Sequence, residues 1–432
     1  MIAVNDQDVR KVIDGASEGL QQQMGKAGTA FIWELQLWKG FGNWTGVGTE
    51  GVWVNVDSLR DGMDIEIGVD DAGPVHAVST VPAMLGDTTA TQSLVLSPVI
   101  AELNITQPTY PDYRISSPYP LNDTIPTNIT SMRVIIIPTS DSPDTDTETT
   151  SSLGNSQCTV LRAETRTTSI ARDTDNGEDG QITRTTRTLQ QRPEGWRWVF
   201  LTGSLKSEMN YTAWVVEDGP GRQRGKMWQP VMMRTKEETF PCPLAHSLAL
   251  CPSIAYAAAL DPSKSDDAIT FLPDTITETL IGSLNGFSSS LLAQACGRDL
   301  FSPVWTCQDC FDEYRDWLCR TLVPQCAAGT TNPSNSIPQK MAPRPAGEKG
   351  KGYASSPGYD YTQLLPCLAN CRRVDRKCPV NLAFRCPIRG KTANMTYAYA
   401  GADEEDRGRG EGEEDGGIDA WGNRWCNGGL PG

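Results

Sequence analysis

Between residues 28 and 139, apolar and polar positions alternate in short runs. Trp33, Leu35 and Leu37 share one side of a two-residue repeat. The runs 52–56 (VWVNV) and 63–69 (MDIEIGV) repeat the pattern after turn-like Gly-Asn and Gly-Thr-Glu-Gly sequences. Alternation of this kind predicts half-buried strands. Residues 91–103 predict another strand or two, 104–130 a Pro- and Asn-rich surface loop, and 131–139 one more apolar strand. A Ser/Thr/Asp-rich linker at 140–158 lacks the apolar residues to build a core. A second β-rich region spans 159–239, clearest at 196–201 (WRWVFL) and 211–216 (YTAWVV). Short strands at this spacing predict sandwich-like layers, whether one sandwich or two.

From residue 240 to 432 the period turns helical. The pattern predicts a helix over 309–321, with Cys310, Phe311, Tyr314, Trp317 and Leu318 inward and Asp312, Glu313, Asp316 and Arg320 largely opposite. A second helix is expected over 361–378, with Leu364, Leu368, Cys371, Val374 and Cys378 inward and Pro366 in the first turn, where its missing N–H is harmless. The apolar stretch 244–260, punctuated by His246, Cys251 and Pro252, reads as core. Two inserts, 327–360 (Gly, Pro, Ser, Lys) and the acidic 401–420, are expected to be mobile loops.

Cysteine changes the picture most. Of thirteen, only Cys158 precedes the block formed by Cys242, Cys251, Cys296, Cys307, Cys310, Cys319, Cys326, Cys367, Cys371, Cys378, Cys386 and Cys426. Twelve cysteines, with Cys310, Cys371 and Cys378 on the inward faces of the expected helices, point to disulfides in an oxidising compartment, with Cys158 left over and the connectivity open. Six glycosylation sequons agree with the secretory pathway: Asn43, Asn104, Asn122, Asn128, Asn210 and Asn394. Residues 1–27 carry no apolar leader, so this reading expects the N-terminal segment to be truncated. No stretch approaches the roughly 18 to 20 apolar residues needed to span a bilayer. A net charge of −15 without a basic stripe argues against nucleic acid and anionic lipid as partners.

Other motifs fail on spacing. Cys307 and Cys310 form a zinc half-site, but no second close pair follows, and the irregular gaps fit disulfides better. Gly15, Ser17 and Gly19 match a nucleophile elbow without its preceding strand, and only His76 and His246 could serve as a base. Both histidines are expected at the surface or in loops. The run 173–180 (DTDNGEDG) lacks the third- and twelfth-position ligands of a calcium loop and reads as a turn. No catalytic residue, metal site or cofactor is assigned.

The cysteine block resembles a known family. The run 251–260 (CPSIAYAAAL), then Tyr314, Trp317, Cys319, Pro324 and Cys326, are similar to the fungal stretch-activated calcium-channel component family. So are 364–371 (LLPCLANC), Val374, Cys378, Pro379, Leu382, Phe384, Cys386 and Pro387, and finally Cys426 and Asn427. That family is similar to the cysteine-rich auxiliary subunit of the animal sodium-leak channel. The resemblance implies a multidomain α+β chain, an N-terminal β-sandwich-like region followed by a disulfide-rich, mainly helical, frizzled-like domain. It also implies a non-enzymatic accessory subunit at the outer face of the plasma membrane, found in the endoplasmic reticulum as well. Its partner would be the four-repeat calcium channel pore subunit, through which it would associate with the membrane. The rival reading is a secreted ligand- or wall-binding module.

Overall fold

The computed structural model describes residues 78–103, 113–115, 126, 129–139, 160, 184–217, 226–261, 268–297, 299–327, 341–344, 357–388, 393, 396–398 and 426–428. The strands expected at 33–37, 52–56 and 63–69 lie outside these residues. So do the motif at 15–19, His76, Cys158, the run 173–180 and the acidic insert 401–420.

Two sheets form from strands on both sides of the 140–158 linker. In the first, β4 (Met132–Pro138) runs antiparallel to β7 (Asn210–Glu217), from Met132 opposite Glu217 to Pro138 opposite Tyr211. The far side of β7 takes β8 (Met227–Gln229) and β9 (Val231–Arg234). Pro230, which has no N–H for a ladder, separates the two. β1 (Val78–Pro82) pairs parallel with β8. The second sheet has the order β2-β3-β6-β5 and is antiparallel throughout. Its strands are β2 (Met84–Thr88), β3 (Ser93–Leu96), β5 (Arg184–Arg192) and β6 (Gly195–Gly203). β5 and β6 form a hairpin paired from Arg184–Gly203 to Arg192–Gly195.

Side-chain alternation decides the layers. Val95 and Phe200 face the first sheet and pack with Val134, Ala213, Val215 and Met233, so the two sheets form one sandwich. Leu94, Leu96 and Val199 point the other way. They pack on Cys242, Leu244, Ala255, Ala257, Ala259, Cys326 and Tyr361 of the cysteine-rich segment. The second sheet is therefore a middle layer with both faces covered, which is why β3 is buried at every position. The backbones meet closely: a Cβ on Gly86 would stand 2.8 Å from the carbonyl oxygen of Ala255.

Among its described residues the cysteine-rich segment combines three helices with strands of two to four residues. Its helices are α1 (Asp274–Leu292), α2 (Cys307–Leu322) and α3 (Leu368–Lys377). Beside them β10 (Leu244–Ala245) pairs with β11 (Tyr256–Ala257). β12 (Gln325–Cys326) and β13 (Met341–Arg344) flank β14 (Tyr361–Leu364). Two expectations change here. The helix expected from 361 begins only at Leu368; residues 361–364 are strand, and Pro366 lies ahead of the helix. The insert 327–360 contributes β13, whose Pro343 is tolerated because β13 is an edge strand.

Asp87 of β2 ties the middle layer to the cysteine-rich segment. Its carboxylate sits 2.9 Å from Lys236 Nζ and accepts from Ala257 N and Gln325 Nε2, both at 3.0 Å. Burial alone would raise its pKa, but Lys236 and these hydrogen bonds outweigh burial and hold it below the ordinary carboxylate value. Asp87→Asn should cost about 3–5 kcal/mol, because the buried Lys236 ammonium loses its carboxylate partner. A depressed carboxylate contributes fully above its unfolded pKa and fades only as pH falls through the folded value. The loss should therefore be constant from pH 5 to 8 in denaturant unfolding of the purified chain.

Candidate functional site

α2 is the structural centre of the cysteine-rich segment. Its N-terminus is set by a capping box: Thr306 Oγ1 accepts from Asp309 N, and Asp309 Oδ2 accepts from Thr306 N at 2.8 Å. At about 100° per residue, Cys307, Cys310 and Cys319 leave the helix on different sides. Each is bonded to a different element: Cys307 to Cys296 after α1, Cys310 to Cys378 after α3, and Cys319 to Cys251 in the loop before β11. Just beyond the helix, Cys326 of β12 bonds Cys242. Cys367–Cys426 and Cys371–Cys386 brace α3 and the chain end. All twelve cysteines of the block are thus placed in six pairs. Six of them line one core with Ile254, Leu280, Leu284, Phe311, Leu318 and Val374.

A helix held on several sides has little free surface, and this corrects the placement of Arg320 on an outer face. Arg320 is 4% exposed. Its Nε donates to both Asp316 oxygens (3.1 and 3.0 Å), and its Nη1 donates to Asn427 Oδ1 (3.1 Å) and Gly428 O (2.9 Å). Asn427 is fully buried; its Nδ2 donates to Tyr256 OH at 3.2 Å, and Asn370 Nδ2 donates to its carbonyl at 2.8 Å. Tyr256 OH in turn donates to Val323 O at 2.8 Å. Burial would raise the Asp316 pKa, but Arg320, a Ser253 hydrogen bond and Arg373 outweigh it and keep the carboxyl ionised. α3 lies along α2 through Arg373 and Lys377, which reach Glu313 at 3.2 and 2.6 Å. Sequence reasoning quoted Asn427 only as part of a motif and missed its burial; a buried Asn beside a cysteine has no periodic signature.

One edge of this unit is aromatic and apolar. Phe287 stacks on Tyr314 at 3.7 Å between centroids, Trp317 and Phe384 meet edge to face at 5.2 Å, and Trp317 Nε1 donates to Tyr397 OH at 2.8 Å. Nearby loops leave Leu300, Val304 and Val380 exposed at 65%, 68% and 83%. Lys377 Nζ lies 4.7 Å over the Trp305 ring and joins the end of α3 to the segment before α2.

His246 occupies a loop, one of the two expected placements, and is buried there at 6% exposure. Its Nδ1 is 2.8 Å from Ser247 Oγ, and burial, helped by Arg192, pulls its pKa down to about 4. Among the described residues no three His, Cys, Asp or Glu side chains converge as metal ligands. Asn210 opens β7 half-buried; Asn43, Asn104, Asn122, Asn128 and Asn394 lie outside the described residues.

Residues 15–409 match a family described as stretch-activated Ca2+-permeable channel component. A Cryptococcus neoformans var. grubii protein named stretch-activated cation channel MID1 is 33% identical over 95% of this chain and 72% of its own length. Proteins of Saccharomyces cerevisiae (stretch-activated cation channel MID1) and Schizosaccharomyces pombe (stretch-activated cation channel yam8) are each 29% identical over 46% of the chain. The chain spans only 37% and 40% of those two proteins. No solved structure matches the chain.

Replacing Cys251 and Cys319 together by Ser should lower stability by about 2–5 kcal/mol, measured by denaturant unfolding. His246 gives a pH signature. With a folded pKa of about 4 against 6.5 unfolded, its contribution is complete above pH 6.5 and is lost as pH falls toward 4. The loss is on the order of 3 kcal/mol. His246→Gln should flatten that part of the stability–pH curve.

Proposed function

Because this chain belongs to the stretch-activated Ca2+-permeable channel component family, we propose that it is a non-enzymatic accessory subunit. It binds the extracellular side of a four-repeat calcium channel pore subunit at the plasma membrane and supports calcium influx. The observation that carries this is the family match across 15–409, which includes the whole disulfide-braced unit except its last pair partner, Cys426. The frizzled-like arrangement of that unit belongs to the same proposal, as does passage through the endoplasmic reticulum lumen. Ion conduction is assigned to the pore subunit; none of the described helices is long and apolar enough to cross a membrane.

The contact face is assigned to the edge bearing Leu300, Val304, Trp305 and Val380. These side chains are exposed, yet their loops are fixed by Cys296–Cys307 and Cys310–Cys378, so little ordering entropy is lost on binding. Arg376 and Lys377 border them. A stretch response requires this contact to differ in free energy between closed and open channel.

Tagged full chain should co-purify with the pore subunit from fungal membranes. The double variant Val304→Asp with Val380→Asp should reduce recovery at least about tenfold while the chain is still secreted. Absence of co-purification, with normal calcium uptake after gene deletion, would sink the proposal in favour of a ligand- or wall-binding module.

A further inference from the structure

The six disulfides differ in access. Eleven of the twelve bonded cysteines are 6% exposed or less, and only Cys386 reaches partial exposure. Its partner Cys371 is 2% exposed. Thiol–disulfide exchange needs a thiolate to reach one sulfur of the bond, so access selects which bond reacts. The side chain before Cys386 is the exposed Arg385, whose charge favours the approach of an anion. Attack at Cys386 makes Cys371 the leaving group. Cys371 closes the first turn of α3, whose positive end stabilises a departing thiolate.

The same bond closes a strained segment. Residues 379–385 run from Cys378, bonded to Cys310 of α2, to Cys386, bonded to Cys371 of α3. Between these two covalent ends Ala383 has a φ of +54°, a left-handed conformation unfavourable to a residue with a Cβ. Leu382 N donates to Pro379 O and Ala383 N to Val380 O, both at 3.0 Å; these bonds close turns inside the segment. Phe384 meets the rings of Trp317 and Tyr314 edge to face at 5.2 and 6.3 Å. Val380, at 83% exposure, lies on the same segment.

We propose that Cys371–Cys386 is a regulatory exchange site, opened selectively by a protein dithiol of the Cys-x-x-Cys class. A thiolate of the dithiol attacks Cys386 Sγ, the bond to Cys371 Sγ breaks, and Cys371 leaves as a thiolate that takes up a proton. The second thiolate of the dithiol then attacks the mixed disulfide and releases Cys386 as a thiol. Two electrons and two protons pass to the cysteines, and the dithiol is oxidised to its own disulfide. Cys310–Cys378 persists, so the segment is freed at one end only. Ala383 relaxes, Phe384 leaves Trp317, and the loop bearing Val380 loses its fixed shape. The effect on a partner rests, through Val380, on the docking face proposed above; the exchange site itself does not.

The test uses the purified full chain, with any free thiol first blocked by iodoacetamide. Reduced thioredoxin is added, and new thiols are labelled with N-ethylmaleimide and mapped by mass spectrometry over time. Cys371 and Cys386 should be labelled at least about tenfold faster than any other pair. Amide hydrogen exchange should then rise about tenfold across 379–386 while β6 and β7 keep their protection. The double variant Cys371→Ser with Cys386→Ser should show the raised exchange without reductant. Should that variant fail to fold, the wild-type time course decides by itself. Opening of another pair first, opening of all six together, or selective opening with unchanged exchange over 379–386 would overturn the proposal.

Discussion

Covalent attachment of α2 to different neighbours is the constraint on which the rest of this structure depends. One helix of sixteen residues carries three disulfides, and a fourth follows four residues after its end. The loops they close differ widely in sequence separation, 11 residues for Cys296–Cys307 and 68 for both Cys251–Cys319 and Cys310–Cys378. Cross-links over long loops remove the most freedom from the unfolded chain. Three helices and a few two- to four-residue strands would bury a small core by themselves; the sulfur atoms both fill that core and hold its walls.

That rigid unit has a consequence for the β-layers. Cys242–Cys326 lies in the same apolar cluster as Leu94, Leu96 and Val199, so the disulfide-bonded segment supplies the second cover for the middle sheet. Both faces of β3 are then dry, and polar groups reaching the junction must be satisfied there. Asp87 achieves this with Lys236, Ala257 and Gln325, and the Arg320–Asp316–Asn427 network does so around α2. Such networks need not add net stability over an apolar core, but they allow only one register between layers.

A channel component gains from stiffness of this kind. Under the proposed docking, its exposed apolar edge sits next to covalently fixed ends, so contact energy is not spent on ordering it. A stiff body can also pass a small displacement from one contact to another, which a flexible one would absorb.

Much of this was legible in the chain itself. The cysteine density and sequons pointed to an oxidising compartment, short apolar and aromatic runs located β4, β6 and β7, and the inward stripe from Cys310 to Leu318 located α2, because each signal is local in sequence. The helix onset at Leu368 was misplaced because residues 361–364 share the apolar spacing of a helix turn, and only pairing with β12 and β13 makes them strand. Arg320 read as polar and therefore outer; it is buried because crosslinks surround its element on sides that periodicity cannot count. Which cysteine meets which, and that one sheet is enclosed between two cores, depend on contacts between residues up to hundreds of positions apart. Those contacts belong to the tertiary structure alone, since no spacing along the chain encodes distance across it.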